Sequence, residues 1–200
     1  MREIIMATNN AHKLEEVRQI LGDEFLVKGL AEIGCHEDIP ETADTLEGNA
    51  LQKARYVHEH YGVACFADDT GLEVKALYGK PGVYTARFGA MNGYGESHDA
   101  DANIQCLLDK LKEAEDRSAR FRTVVALLMN GEEHLFEGIV EGEILMQKVG
   151  EGGFGYDPVF APIEGGGMSF AQMPAEEKNA ISHRGRAIMK LVDFLKNKQS

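Results

Sequence analysis

From Glu3 to Ala67, short apolar runs alternate with stretches of helical period. This alternation constrains the fold more than any other feature, because strand–helix–strand repeats build a parallel sheet covered by helices. Glu3 to Ala7 reads as a strand and Lys13 to Leu21 as a helix with Leu14, Val17, Ile20 and Leu21 on one face. Phe25 to Lys28 reads as a second strand. Leu46 to Tyr61 is a second helix, with Asp44 and Glu47 spaced as a capping box and Gly62 as its C-terminal cap. The apolar run Val63 to Ala67 is the third strand. The second half breaks the pattern. Phe121–Met129 and His134–Ile144 flank Asn130-Gly131, a hairpin signal, so the sheet is expected to be mixed, with a second lobe. His98 to Glu115 reads as a helix, as does the tail from Pro174, broken at Gly185 before a last apolar-faced helix.

The third strand delivers Asp68-Asp69-Thr70-Gly71. Gly71 would allow a sharp turn, leaving two carboxylates at the end of a buried strand. Adjacent acids can supply the oxygen ligands that magnesium prefers, and Asp-Asp before Gly also occurs in plain turns. Thr8 to Lys13 lies between a strand and a helix. Helix N–H groups and Lys13 could seat a phosphate there, and the same residues suit an ordinary capped surface helix. Glu41 sits in an acidic loop, and Asn49 and Lys53 lie one turn apart on the second helix. The glycine-rich stretch Gly79 to Gly95 carries Arg87, either a phosphate contact or an arginine packed along the surface. Phe154 and Tyr156 stand among glycines, either as a stacking platform for a base or as core aromatics.

The chain has 200 residues with 44% hydrophobic and 27% charged side chains, a globular composition. A net charge of −12 excludes a general nucleic-acid binder, which needs a basic footprint. A small phosphate ligand then requires local cations, a metal, or both. Three cysteines, Cys35, Cys65 and Cys106, form no zinc-type pair and point to a reducing compartment. No run suits a signal peptide or a membrane span, so a cytoplasmic protein is expected.

Six stretches occur in order: Thr8-Asn9-Asn10-Ala11-His12-Lys13; Glu41-Thr42 with Glu47 to Ala54; Ala67 to Leu72; Pro81 to Phe88; Gly153-Phe154-Gly155-Tyr156-Asp157-Pro158; and Ser182-His183-Arg184-Gly185-Arg186. Together they resemble the inosine/xanthosine triphosphate pyrophosphatase family over nearly the whole chain. The resemblance implies one domain over residues 1–200, with a long twisted mixed sheet flanked by helices and two lobes around a nucleotide-binding cleft. It also implies a magnesium-dependent homodimer that hydrolyses ITP, dITP or XTP to the monophosphate and pyrophosphate. Carried onto this chain, Asp69 is the general base and a metal ligand, and Glu41 is the other metal ligand. Thr8, Asn9, Asn10, Ala11, His12 and Lys13 bind the triphosphate, and Thr70 stands beside the catalytic acid. Phe154, Gly155, Tyr156, Asp157, Lys178, His183 and Arg184 recognise nucleotide and base. Lys53 and Arg87 are further phosphate contacts in such a site, and Asp68 supports metal or water geometry. Asn9 stands where the family often has glycine; asparagine tolerates the left-handed backbone that glycine would supply. The competing readings are a Maf-like nucleotide pyrophosphatase with another base preference, an inactive nucleotide-binding module, and an interaction domain.

Overall fold

The structure is a computed structural model that describes residues 2–198. Among these the strands form a seven-stranded sheet. β1 (Arg2–Met6), β2 (Phe25–Lys28), β3 (Cys65–Val74), β5 (Ser118–Met129), β6 (Glu132–Ile144) and β7 (Phe160–Pro162) lie in the order β2-β1-β3-β5-β6-β7, and the short β4 (Pro81–Gly82) pairs with β3. β1 is parallel to both neighbours, with Ile4 opposite Val27 and Met6 opposite Phe66. β7 is antiparallel to β6. The sheet is therefore mixed, as the break in the sequence pattern requires.

The chain divides into two compact units. The first comprises the described residues up to Asp69, Thr123–Gly138 and the described residues from Ser182. Here α1 (Ala11–Leu21) crosses from β1 to β2, α2 (Leu46–Tyr61) from β2 to β3, and α6 (His183–Asn197) packs on α1. Ile4, Met6, Val17, Val27, Phe66, Leu127, Ile188 and Leu191 fill its core. The β5–β6 turn has positive φ at both Asn130 and Gly131, the type I′ geometry expected of that pair.

The second unit, Thr70–Arg122 and Ile139–Ile181, contains α3 (Phe88–Met91), α4 (Ala100–Lys110) and α5 (Ala175–Ile181). Its core joins Leu72, Val74, Ile104, Leu107 and Ile144 to the aromatic cluster of Phe121, Phe160 and Phe170.

Four local expectations change. The cap of α2 is Thr45 rather than Asp44, because the Thr45 hydroxyl accepts the Gly48 N–H at 3.0 Å. α4 starts at Ala100 because His98 has φ 68° and Asp99 caps the helix by accepting the Ala102 N–H. Gly185 does not break the last helix. The break falls at Ser182, whose hydroxyl accepts the Gly185 N–H and starts α6. Most consequentially, β3 does not end before the acidic pair. Strand geometry continues through Asp68-Asp69-Thr70-Gly71 to Val74. Gly71 is required by close approach, since a Cβ there would lie 2.7 Å from the Gly82 carbonyl oxygen on β4.

Candidate active site

Because β3 is extended at the acidic pair, its pleat sends neighbouring side chains to opposite faces. Asp68 meets α1 and α6. Its Oδ1 accepts from Lys13 Nζ at 3.3 Å and its Oδ2 from Arg184 Nε at 3.0 Å. Arg184 extends the chain of charge to Glu16 Oε1 at 3.1 Å. Asp68, Arg184 and Glu16 are all buried. Asp69 instead meets α2, where Asn49 Nδ2 donates to its Oδ2 at 3.1 Å. Lys53, also buried on α2, donates to the Asp68 carbonyl oxygen at 2.6 Å and pairs with Glu41 at 2.5 Å.

Opposite partners give the two acids opposite proton affinities. Burial alone would raise the Asp68 carboxyl; Lys13, Arg184 and Lys53 outweigh it and hold the group below the usual carboxylate range. Asp69 is raised, because burial, reinforced by the charge of Glu41, exceeds the pull of Lys53 and Lys13. Glu41, whose side chain is only partly shielded from water, is lowered because the charge of Lys53 outweighs that partial loss of water. Burial lowers Lys13, whereas Lys53, although desolvated, is raised by Glu41, Asp68 and Asp69.

The Thr8–Lys13 turn organises itself. The Thr8 hydroxyl accepts the Asn10 N–H, and Asn10 Oδ1 caps α1 by accepting the Lys13 N–H. Asn9 is not left-handed; among the described non-glycine residues Tyr78, His98 and Asn130 are. Asn9, Asn10, Ala11 and His12 are exposed around the start of α1, and Lys13 is half-buried.

In the second unit, Thr70 is half-buried on β3. The glycine-flanked aromatics differ in burial. Tyr156 is core, its hydroxyl donating to the Thr85 carbonyl oxygen at 2.7 Å. Phe154 stays half-exposed. Asp157 accepts from the Phe154 N–H at 2.9 Å and from buried Lys178 at 2.8 Å, and Lys178 Nζ lies 4.9 Å from the Phe154 ring centre. Gly153, with φ 69°, makes room for this: a Cβ would lie 2.1 Å from Asp157 Oδ2. Arg87 rests over the Tyr84 ring, the packing alternative.

The Ham1 family pattern matches residues 4–194. The chain belongs to the Ham1 family. It is 56% identical over 196 residues to a dITP/XTP pyrophosphatase of Porphyromonas gingivalis, covering 98% of each chain. It is 44% identical to a dITP/XTP pyrophosphatase of Bacillus subtilis, again covering 98% of each. The solved Ham1 protein of Staphylococcus aureus superposes with a TM-score of 0.86 at 39% identity, over 98% of this chain and all of that one.

Within this Ham1 chain the structure brings Lys13, Glu41, Lys53, Asp68, Asp69 and Arg184 into one charge network. His183, the first residue of α6, is buried; a Cβ on Gly138 of β6 would lie 2.0 Å from its carbonyl oxygen. Sequence reasoning passed over Glu16, Gln52 and Gly138. Glu16 had a signal: an acid three residues after Lys13 and four before Ile20, at the margin of the apolar face of α1. Among the described residues no group of three or more His, Cys, Asp or Glu is arranged to hold a metal. Both oxygens of Asp68 are engaged by cations, and Glu41 is paired with Lys53.

Proposed function

We propose that this chain is a dITP/XTP pyrophosphatase. It hydrolyses deaminated purine nucleoside triphosphates, ITP, dITP and XTP, between the α- and β-phosphates, releasing the monophosphate and pyrophosphate. The observation that carries this reading is the buried Asp69, held by Asn49, in one charge network with Glu41, Lys13 and Lys53, in a family whose relatives bear that name. An acid of raised proton affinity, anchored by one oxygen to Asn49, suits acceptance of a proton from attacking water. Phosphoryl transfer otherwise needs positioning and charge neutralisation. Lys13 and the Thr8–Lys13 turn supply these for the phosphates.

Two carboxylates with oxygen donors fit magnesium, which takes one or two protein carboxylates together with substrate phosphates and water. Glu41 and Asp69 would hold it. When bound it supplies charge neutralisation on the phosphates and acidifies water. Thr70 lies next to Asp69 in the chain and is assigned to the surroundings of the base catalyst. Phe154 offers a ring face for stacking, framed by Gly155, Tyr156 and Asp157. Lys178, which holds Asp157 beside Phe154, is assigned to nucleotide binding, and a donor from His183 or a backbone N–H would suit the 6-keto oxygen that hypoxanthine and xanthine carry and adenine lacks. Arg184, clamped by Asp68 and Glu16, is assigned to holding that network in place rather than to touching the base. The reading includes a cytoplasmic homodimer; sedimentation of the purified protein tests the dimer.

The deciding assay is product analysis with dITP, XTP, ATP, GTP and modified pyrimidine nucleotides. Pyrophosphate with dIMP or XMP is expected. Orthophosphate alone, or equal cleavage of GTP or a modified pyrimidine, refutes the reading; the latter favours the Maf-like alternative.

A further inference from the structure

Glu41 reaches the site from an irregular loop, and a loop does not by itself fix a ligand. Three successive loop residues are each tied to α2. Lys53 pairs with Glu41. Gln52 accepts the Thr42 N–H through Oε1 at 2.9 Å and donates to the Thr42 hydroxyl through Nε2 at 3.0 Å. Asn49 Oδ1 accepts the Ala43 N–H at 2.9 Å. Gly48 permits this closeness, because a Cβ there would lie 2.6 Å from the Ala43 Cβ.

The Asn49 contact fixes more than the loop. A main-chain N–H can only donate, so the Asn49 atom facing Ala43 must be oxygen, and the amide nitrogen must face the other way. That nitrogen donates to Asp69 Oδ2 at 3.1 Å. One buried carboxamide therefore spans the carboxylate of β3 and the backbone of the loop that carries the second carboxylate.

We propose that Asn49 is a positioning residue that sets Asp69 relative to Glu41, with Gln52 as its support on the same loop. This rests on the assignment of Glu41 and Asp69 as the acids of the pyrophosphatase site. Groups that orient metal-binding carboxylates typically carry 10–100-fold in metal affinity or activity, so Asn49→Ala should weaken binding by about that factor.

The test uses the full chain with Asn49→Ala and Gln52→Ala. Mn²⁺ alone, without nucleotide, is titrated by electron paramagnetic resonance. Hydrogen exchange is followed at the Thr42 and Ala43 amides, and kcat and KM are measured with dITP. For Asn49→Ala we expect faster exchange at Ala43, Mn²⁺ bound about 10–100-fold more weakly and a matching loss in kcat. The KM for dITP should stay within about twofold, the pattern of a lost positioning contact. For Gln52→Ala we expect faster exchange at Thr42 and a smaller loss of Mn²⁺ affinity. Faster exchange at Ala43 with Mn²⁺ affinity and kcat of the parent protein overturns the inference, reducing Asn49 to a loop tether. Should Asn49→Ala not fold, Gln52→Ala decides: a freed Thr42 amide with unchanged Mn²⁺ affinity also overturns it. A parent protein that neither binds Mn²⁺ nor releases pyrophosphate overturns the functional reading itself, and that outcome is distinct from a variant that matches an active parent.

Discussion

At 1% and 8% exposure, Asp68 and Asp69 lose nearly all their water, and burial alone would raise both carboxyls. Asp68 escapes through Lys13, Arg184 and Lys53. Its folded affinity for protons is below that of the unfolded chain, whose value is near ~3.9, so it stabilises the fold at neutral pH and that stabilisation is lost as the pH falls below this value. Asp68→Ala leaves buried Arg184 with its charge half-compensated. It should cost about 3–5 kcal/mol by urea denaturation at pH 7, the usual penalty for stranding a buried charge. Asp69 has the opposite sign. Its folded proton affinity is raised, so in metal-free protein its ionised form costs stability at neutral pH, and the cost vanishes as the pH falls and the carboxyl protonates. Asp69→Asn should therefore melt no lower than the parent at pH 8 in EDTA, and its advantage should shrink in acid. The same variant should lose about 10²–10⁴ in kcat on dITP, the range for a general base. A lower melting temperature at pH 8 would show that burial of the Asp69 charge does not oppose folding.

Elements meet the site through backbone approaches that only glycine allows. β6 passes so close to the start of α6 that a Cβ on Gly138 would overlap the His183 carbonyl oxygen at 2.0 Å and the Ala187 nitrogen at 2.6 Å. Both are main-chain atoms and cannot rotate away. Gly138→Ala should cost about 3 kcal/mol, the upper part of the range for overpacking, and the loss should appear in the urea midpoint. It should also reduce turnover, because the displaced helix carries Arg184. Gly131→Ala makes a suitable contrast: no atom lies within 4 Å of its added Cβ, so the loss there comes from φ 75° rather than from a clash.

Over the whole chain, neither compact unit is a contiguous segment. The chain passes between them inside β3, β5 and β6, and again between α5 and α6. One unfolding event is therefore expected. Ile188→Ala in one core and Leu107→Ala in the other should each cost about 2–5 kcal/mol, and each should shift a single melting transition. Two resolved transitions in either variant would show that the units unfold separately.

The sequence by itself determined what is local in origin. Periodicity set the span of α2, Asn-Gly set the hairpin turn, and Gly62 set a helix end, because each depends on backbone preferences of a few neighbouring residues. The ordered motifs likewise placed the chain in its family. Tertiary structure decided what those residues do. No short-range signal tells that Gly71 and Gly138 serve close contact with distant strands and helices rather than turns. None tells that Asp68 would be neutralised by Arg184, 116 positions away, while adjacent Asp69 kept its proton affinity. Burial and charge act through space, and the pleat of one strand is enough to give two neighbouring acids different surroundings.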